Sequence, residues 1–367
     1  MKKFNYIFIL FAALFVGCSE SSPLKGGEEQ IIVPTKPYIY LDAGISTRAS
    51  LLNGTVLEDG FSVYGFTYDF NNKWETYRVT AKPNVFDTVP QDVFYSNNSY
   101  KYSPVKEWQG GKYTFFACYP HNLSVSDDAV EGTPYLTYTP NPTNAGNHVD
   151  IMTAMFEDTS LSSSPYVYFD FYHRLSAVDV VAMNFYEHSY DDPNAENTVI
   201  TERVIIELVG LSLAFKNVQY ESAKIYMDRR IPSECTLVTE GNNLEYNYVI
   251  YKEGSGYSMS IDYNEDSTLR PVTAYPFDKS MIFIPQENTD LEVTTTVSFK
   301  KRRPNGEYLT DNNGNTVFTK TIETPFKQPL REGSRYYLQM TFTSSAVSIS
   351  IITSDEWDDI KVDYEFD

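Results

Sequence analysis

The sequence is poor in the residues that carry most metal, redox and nucleic-acid chemistry. Its 367 residues include only 3 cysteines and 4 histidines, too few for a disulfide-stapled scaffold or a histidine-rich metal site. Basic residues are also scarce, with 29 lysines and arginines against 49 acidic side chains. The resulting net charge of −20 repels phosphate backbones and argues against general nucleic-acid binding.

Enzyme motifs are missing as well. The chain contains no glycine-rich phosphate loop, no serine nucleophile elbow and no HExxH zinc helix. Residues 311–315 resemble a calcium loop but lack its spaced acidic ligands and closing glutamate, so we interpret them as a hairpin turn. His173, between two apolar runs, is interpreted as a hydrogen-bonded structural residue. We therefore predict a non-enzymatic protein that uses no cofactor or metal.

Aromatic residues, by contrast, are abundant. The chain has 30 tyrosines and 23 phenylalanines, and such side chains fit the pleated surface of β-strands. Short apolar or alternating runs, such as Phe61–Tyr68, Lys112–Tyr119 and Ala177–Phe185, are separated by turn signals such as Asn305-Gly306. No long segment sustains the 3.6-residue period of an amphipathic helix. The pattern predicts an all-β protein with a strand density typical of β-sandwiches.

The N-terminus has the features of a bacterial lipoprotein signal. Two lysines precede an apolar run of about a dozen residues, whereas a membrane-spanning helix needs ~20. The run ends in Phe15-Val16-Gly17-Cys18, which resembles a lipobox with phenylalanine where leucine is usual. We predict that residues 1–17 are removed and that acyl chains on Cys18 anchor the protein in a membrane. An ordinary signal peptide with a chance cysteine is the alternative.

Lipoprotein processing changes the charge and the cysteine inventory. Removing residues 1–17 takes away two lysines and no acidic residue, so the net charge of the mature chain becomes −22. It leaves Cys118 in an apolar, strand-like run and Cys235 in a polar connection. Because isolated buried cysteines are ordinary core residues, two free thiols are favoured over a disulfide.

Composition divides the mature chain into a tether and two halves. Residues 18–36 are rich in serine, glycine, glutamate and proline, and we predict that they form a flexible tether. A polar, proline-containing break at residues 188–198 divides the remainder, and we place a domain boundary near residue 195. The predicted β-sandwich domains are therefore 37–195 and 196–367. A hairpin loop within one domain is an alternative interpretation of the break.

A series of short motifs covers essentially the whole mature chain. Besides the lipobox, the motifs are Thr47-Arg48-Ala49, residues 112–120, 150–152, 169–175, 282–286 and 330–337, and Trp357. Their order, together with the lipobox and the all-β pattern, resembles that of the fimbrillin family. These proteins are lipoprotein pilin and pilin-like subunits of Gram-negative anaerobes, and they form type V pili.

The resemblance implies a fold and an assembly mechanism. Family members have two tandem transthyretin-like β-sandwich domains and are exported as lipoproteins. A trypsin-like protease then cuts after an arginine near the N-terminus, which removes a first strand and opens a groove. A strand from a neighbouring subunit fills the groove, and the subunits polymerise. The resemblance thus implies other fimbrial subunits as partners and a surface-exposed location on the outer membrane.

The sequence contains a candidate for the removable strand. Residues 38–48 have a plausible strand pattern, and Arg48 is followed by the small Ala49, which makes a permissive site for an arginine-directed protease. An uncut surface arginine is the alternative, because not every family member is processed.

The candidate donor strand is segment 358–367. Apolar and charged residues alternate over its last eight positions and end with the chain, as in a strand with one buried and one solvated face that is free to leave. The predicted buried face consists of Ile360, Val362, Tyr364 and Phe366. Such a segment can add to the open edge of a neighbouring sheet. The alternative is that it pairs with the subunit's own sheet.

Two functions follow from these features. The first is a structural subunit of a fimbrium, in the stalk, at the tip or as the anchor. The second is a non-polymerising outer-membrane lipoprotein that binds glycans or host proteins through exposed tyrosines and tryptophans. Trp74, Trp108 and Trp357 are candidates for stacking on sugars, although core positions are the more common role of tryptophan in a β protein.

Overall fold

The fold was analysed in a computed structural model, which describes residues 38–45, 57, 59–121, 123, 125–126, 133–162, 165–231, 234–237, 244–251, 259–263, 280–287 and 289–354. Cys18, Arg48, Ala49 and segment 358–367 therefore lie outside the described residues. Helix is confined, within these ranges, to the short α1 (Trp74–Tyr77) and a 3-10 turn (Ala145–Asn147). No helix in the described part has the length and hydrophobicity to span a bilayer.

Strands make up most of the described chain. In the first half they are β1 (Tyr40–Ile45), β2 (Phe61–Tyr68), β3 (Gln91–Ser96), β4 (Ser99–Lys101), β5 (Lys112–Tyr119), β6 (Val125–Ser126), β7 (Tyr135–Tyr138), β8 (Met152–Thr159), β9 (Tyr166–His173), β10 (Ser176–Phe185) and β11 (Glu187–Asp191). In the second half they are β12 (Val199–Arg203), β13 (Ile205–Val218), β14 (Tyr220–Tyr226), β15 (Glu234–Leu237), β16 (Leu244–Tyr251), β17 (Met259–Ile261), β18 (Met281–Phe283), β19 (Leu291–Arg302), β20 (Val317–Phe326), β21 (Arg335–Thr343) and β22 (Val347–Ser354).

These strands form four larger sheets and one hairpin. Sheet A has the order β1-β9-β8-β5-β2-β3-β4, and sheet B the order β18-β10-β21-β22. Sheet C has the order β16-β13-β19-β20, with β17 also paired to β13, and sheet D the order β15-β14-β7-β6. Strands β11 and β12 pair only with each other among the described elements. The predicted all-β class is confirmed.

The central strands of sheet A are apolar at nearly every position because both faces of the sheet are covered. Along β5, Phe115 and Ala117 belong to one buried cluster, whereas Phe116 and Cys118 belong to another. Successive side chains of a strand point to opposite faces, so a strand between two cores needs apolar residues throughout. This explains why the sequence of β5 reads as a continuous apolar run.

Three buried clusters form the interior of the described chain. The N-terminal core lies on one face of sheet A and is rich in phenylalanine, including Phe61 and Phe169. The middle core lies on the opposite face, where Leu136 of β7 and Ile225 of β14 cover it from sheet D. The C-terminal core combines side chains of sheets B and C, such as Leu338 and Val293.

Two sheets combine strands from both sides of residue 195. Strand β10 pairs in parallel with β21 along residues 177–185, and β7 pairs with β14. The described residues between 38 and 354 belong to one compact unit. The polar break at 188–198 contains the turn of the β11–β12 hairpin. The domain boundary near residue 195 stays a prediction. Sheets B and D each contain strands from both sides of this position.

A buried arginine joins two of the sheets to a turn. Arg174, between β9 and β10, is fully buried, and its Nε donates to Glu332 Oε1 at 2.6 Å. Its Nη1 donates to the Thr153 hydroxyl of β8 at 2.9 Å and to the Tyr226 carbonyl at the end of β14. Burial lowers the pKa of the guanidinium, and Glu332 opposes that change. The several donors of one arginine thus connect sheets A and D to the turn before β21.

Candidate functional site at the first strand

The predicted removable strand lies at one end of sheet A. Strand β1 occupies part of the predicted segment 38–48 and runs parallel to β9, with Tyr40 opposite Tyr166. On its other side, the Ile39 amide donates to the Lys106 carbonyl at 2.9 Å. Strand β1 is therefore attached to the sheet through one full strand neighbour and a short contact with the segment before β5.

One side of β1 faces the N-terminal core. Ile39 and Leu41 are 1% and 5% exposed, and Ala43 packs against the same cluster. The Tyr102 hydroxyl donates to the Ile39 carbonyl at 2.9 Å. Fully burying one aliphatic side chain stabilises a fold by roughly 1.5–3 kcal/mol. These contacts hold β1 in the sheet, and each would be lost if β1 left.

Other strands form the floor beneath β1. The Phe61 ring of β2 lies 5.6 Å from the Phe169 ring and 5.4 Å from the Phe171 ring of β9, both in edge-to-face geometry. All three rings are fully buried. We call the space bounded by this floor and the β9 edge the β1 slot. The floor consists of residues from β2 and β9, so it remains part of the subunit when β1 leaves.

The outer side of β1 is covered by tyrosines of β9. The rings of Tyr40 and Tyr166 lie 5.4 Å apart, and Tyr168 packs over Gly44. Tyr166 and Tyr168 remain 45% and 51% exposed. Partial burial, together with the nearby carboxylates of Asp42 and Asp170, raises the pKa of Tyr168. These tyrosines were not predicted as functional residues, although the alternation of tyrosine with valine and phenylalanine along β9 indicates its two faces.

The two candidate ligand sites of the sequence have structural roles. His173 Nδ1 lies 2.9 Å from a carboxylate oxygen of Asp150, as predicted for a hydrogen-bonded structural residue. The Asp311 carboxylate accepts from the Asn315 side-chain amide at 3.0 Å and from the backbone amides of Asn315 and Asn313 at 2.9 and 2.8 Å, which closes the predicted hairpin turn and lowers the pKa of Asp311. No group of three histidine, cysteine, aspartate or glutamate residues in the described ranges could hold a metal ion.

The tryptophans and cysteines of the described chain belong to its interior. Trp74 is fully buried, and Trp108 is buried with its Nε1 donating to the Pro165 carbonyl at 3.3 Å. Neither indole is available to stack on a sugar. Cys118 is a free thiol, as predicted, and both Cys118 and Cys235 contact the middle core. Burial raises the pKa of Cys118 to about 12, so the thiol is unreactive near neutral pH.

Comparison with known proteins assigns the family. The fimbrillin-like family profile matches residues 47–357, which is most of the chain, and the chain belongs to this family. The resemblance inferred from the sequence is therefore confirmed. No curated protein matches.

One solved structure, with a TM-score above 0.5, supports the fold. A fimbrial protein from Bacteroides vulgatus superposes with a TM-score of 0.60 at 16% identity, covering 88% of this chain and 99% of that chain. A proposed cell adhesion protein from Bacteroides uniformis gives a TM-score of 0.47 at 15% identity, with 88% and 99% coverage. A third, from Bacteroides ovatus, gives 0.48 at 17% identity, with 89% and 99% coverage.

Family membership defines the broad role. Fimbrillin-like proteins and their fimbrial structural relatives are non-enzymatic structural proteins, which confirms that prediction for this chain. Membership also supports a role as a fimbrial subunit at the cell surface. The matched region begins after β1 and ends before segment 358–367. Strand β1 and segment 358–367 therefore flank the matched region.

Proposed function

We propose that the protein is a structural subunit of a cell-surface fimbrium, in its stalk, tip or anchor, that assembles by exchanging β1 for a strand of a neighbouring subunit. The observation that carries the proposal is the position of β1. It lies at the end of sheet A, completes the N-terminal core, and ends at Ile45, three residues before Arg48. A cut after Arg48 would leave β1 attached to the rest of the subunit through noncovalent contacts alone.

The proposed pathway begins with export as a lipoprotein. Acylation of Cys18 anchors the subunit in the outer membrane, and residues 18–36 connect the anchor to the fold. An arginine-directed protease then cuts between Arg48 and Ala49, which separates the anchor and β1 from the remainder. Cleavage thus links release from the membrane to opening of the β1 slot.

An open β1 slot is a strong acceptor for another strand. Loss of β1 uncovers the unpaired backbone of β9 and the side chains that pack against Ile39 and Leu41. An unpaired edge is a template for strand addition, in which backbone hydrogen bonds set direction and apolar side chains set register. Segment 360–367 of another copy offers four apolar side chains at alternate positions, which matches the one-sided burial of β1.

Controlled proteolysis tests the proposal. Full-length protein treated with an arginine-specific protease is expected to start at Ala49 and to form a ladder of oligomers on mild gels. The variant Arg48→Lys should resist that protease yet be cut by trypsin, and its oligomers should appear only after trypsin. Protein that is cut after Arg48, has lost β1 and stays monomeric at high concentration would contradict assembly through the β1 slot.

The second function retains one structural observation in its favour. Tyr166 and Tyr168 expose about half of their surface beside each other on β9, as a glycan- or protein-binding surface would. A glycan array probed with uncleaved protein tests this function, and Tyr166→Ala should abolish any saturable signal. A blank array, together with oligomers after cleavage, would leave the fimbrial subunit as the function.

A further inference from the structure

Strand β1 has no side chain at the point where Tyr168 crosses it. Gly44 lies opposite Asp170 in the β1–β9 register, and the Tyr168 hydroxyl oxygen overlaps the position that a Cβ at residue 44 would take. That Cβ would also lie 3.2 Å from the Tyr168 Cζ. Because Gly44 does not have a left-handed backbone conformation, the close approach of the ring, and not the backbone, requires glycine here.

The tyrosine can leave this position without disturbing the core. Tyr168 is 51% exposed. The adjacent Val167 and Phe169 point to the other face of β9, where both are buried and hold the strand in place. Rotation of an exposed ring into solvent costs the contact with β1 but creates no cavity in the interior. The ring is therefore a removable cover over β1, next to the fixed stack of Tyr40 on Tyr166.

We propose that Tyr168 is a latch that favours the subunit's own β1 over an incoming strand, and that Gly44 is the residue that permits the latch to close. The inference deepens the proposed function and rests on it, because it concerns the partner of the same slot. A strand with any side chain at the position of Gly44 must occupy the slot with Tyr168 rotated outward. The β1 strand alone gains the packing of this ring on its backbone.

The candidate donor strand has no residue that would let the latch close. Its charged, outward positions are Lys361, Asp363, Glu365 and Asp367. Whichever of them lies at the position of Gly44, its Cβ overlaps the place of the Tyr168 hydroxyl. The latch thus discriminates against the donor strand, and the uncut subunit is protected twice, by the covalent connection to β1 and by Tyr168. Cleavage removes the first protection, because β1 loses its high effective concentration.

Hydrogen exchange in the full-length, uncleaved protein measures the latch directly. Local opening of β1 exposes the amides of residues 40–45 to exchange. We expect Tyr168→Ala to increase their exchange rate at least fivefold, and Gly44→Ala to do so by displacing the ring. The matched control Tyr172→Phe alters another tyrosine on the same face of β9 and should change the rate less than twofold. Exchange in β5 should be unchanged in every variant, which verifies that the fold is intact.

A compensating pair separates the latch from general damage to the strand. Tyr168→Phe removes the oxygen that overlaps the Cβ, so the double variant Gly44→Ala/Tyr168→Phe should exchange at least threefold more slowly than Gly44→Ala alone. If the two substitutions damaged the structure independently, their effects on the exchange rate would add, and the double variant would exchange no more slowly than Gly44→Ala. A double variant that exchanges as fast as Gly44→Ala, or a Tyr168→Ala variant with the wild-type rate, would overturn the latch.

Peptide uptake distinguishes failure of the latch from failure of the proposed function. The probe is a fluorescein-labelled peptide of residues 358–367, and its binding is followed by fluorescence anisotropy. Uncleaved Tyr168→Ala and Gly44→Ala proteins should take up the peptide at least fivefold faster than uncleaved wild type. A peptide that fails to bind wild type from which β1 has been removed contradicts the proposed function. A peptide that binds such protein, but is taken up equally by all uncleaved forms, contradicts the latch.

Discussion

At the scale of the residue, His148 shows how one buried side chain connects distant segments. Its Nδ1 accepts a hydrogen bond from the Ile282 amide at 2.6 Å, and its Nε2 lies 2.8 Å from the Asn141 carbonyl. The ring also packs edge-on against Tyr248 at 5.6 Å between centroids. An Nδ1 that accepts requires the neutral ring with the proton on Nε2. The residue therefore holds the 141–148 loop against β18 in one protonation state.

This arrangement predicts a loss of stability in mild acid. Burial lowers the pKa of His148 below its usual value near 6.5, so the unfolded chain binds a proton at a higher pH than the folded chain. The free energy of unfolding should therefore decrease as pH falls below about 6.5, until the folded ring is also protonated. Urea unfolding at pH 8.0 and pH 5.5 measures this, and the non-titrating variant His148→Gln should lose less stability between the two. Equal losses in both proteins would exclude His148 as the source.

The sequence identified isolated histidines but not their partners. The role of His173 could be predicted because it lies between two apolar runs, and that of Trp74 because tryptophan in a β protein most often has a core position. The contact of His148 with Ile282, and that of Arg174 with Glu332, join residues more than a hundred positions apart. Gly44 has no local signal at all, because its requirement arises from a tyrosine on another strand. Local patterns carry no information on such contacts.

At the scale of the element, strand identity could be predicted better than strand pairing. The runs 61–68 and 112–119 were predicted from their composition and are β2 and β5 with the same bounds. The predicted run 177–185 is β10, which begins one residue earlier. Its parallel pairing with β21 follows from no turn or spacing, because parallel neighbours are joined by long connections. The same holds for β1 and β9, so the β1 slot could be placed only in the structure.

Deletion of the candidate donor strand tests the donor role of a subunit separately from its acceptor role. A variant that lacks residues 360–367 should still lose β1 after cleavage at Arg48 and bind the peptide of residues 358–367, because its β1 slot is unchanged. Its own oligomers should be reduced at least tenfold on mild gels, since it offers no strand to the next subunit. The matched control replaces the outward Asp363 with Asn, which keeps the alternation and should leave assembly within twofold.

Two outcomes of the deletion would contradict the assignment of the donor. Oligomers that persist at wild-type levels would mean that another segment fills the β1 slot. Loss of the thermal unfolding transition would mean that residues 360–367 complete the subunit's own sheet, as the alternative from the sequence proposes. Thermal unfolding of the cleaved and uncleaved variants is therefore measured beside the gels.

At the scale of the whole molecule, the acidic surface affects how subunits meet. A chain of charge −20, or −22 after lipoprotein processing, repels another copy of itself. Strand addition brings such copies together over a small contact, and the repulsion opposes the first encounter. Salt screens charges over a Debye length that falls from about 30 Å at 0.01 M to about 8 Å at 0.15 M ionic strength. The charge that keeps single subunits apart thus makes assembly dependent on salt.

Assembly of cleaved protein should accelerate with ionic strength. We expect the initial rate of oligomer formation, followed by light scattering, to increase at least threefold from 0.01 M to 0.15 M sodium chloride. The free energy of unfolding, measured by urea over the same range, controls for effects on the fold. A rate that falls with salt would show that contacts between opposite charges dominate the encounter, contrary to the expectation from net charge.

The parallel pairing of β1 with β9 has a consequence for the polarity of a fibre. An incoming strand that restores the β9 hydrogen bonds of β1 must run in the same direction as β1. Every junction then has one orientation, in which each subunit gives a strand on one side and receives one on the other. Such head-to-tail contacts extend into a filament with two different ends wherever the rotation between subunits does not close them into a ring. The two ends would therefore grow by different steps. The end with an empty β1 slot accepts the strand of an incoming subunit, and the other end inserts its own free strand into the slot of an incoming subunit.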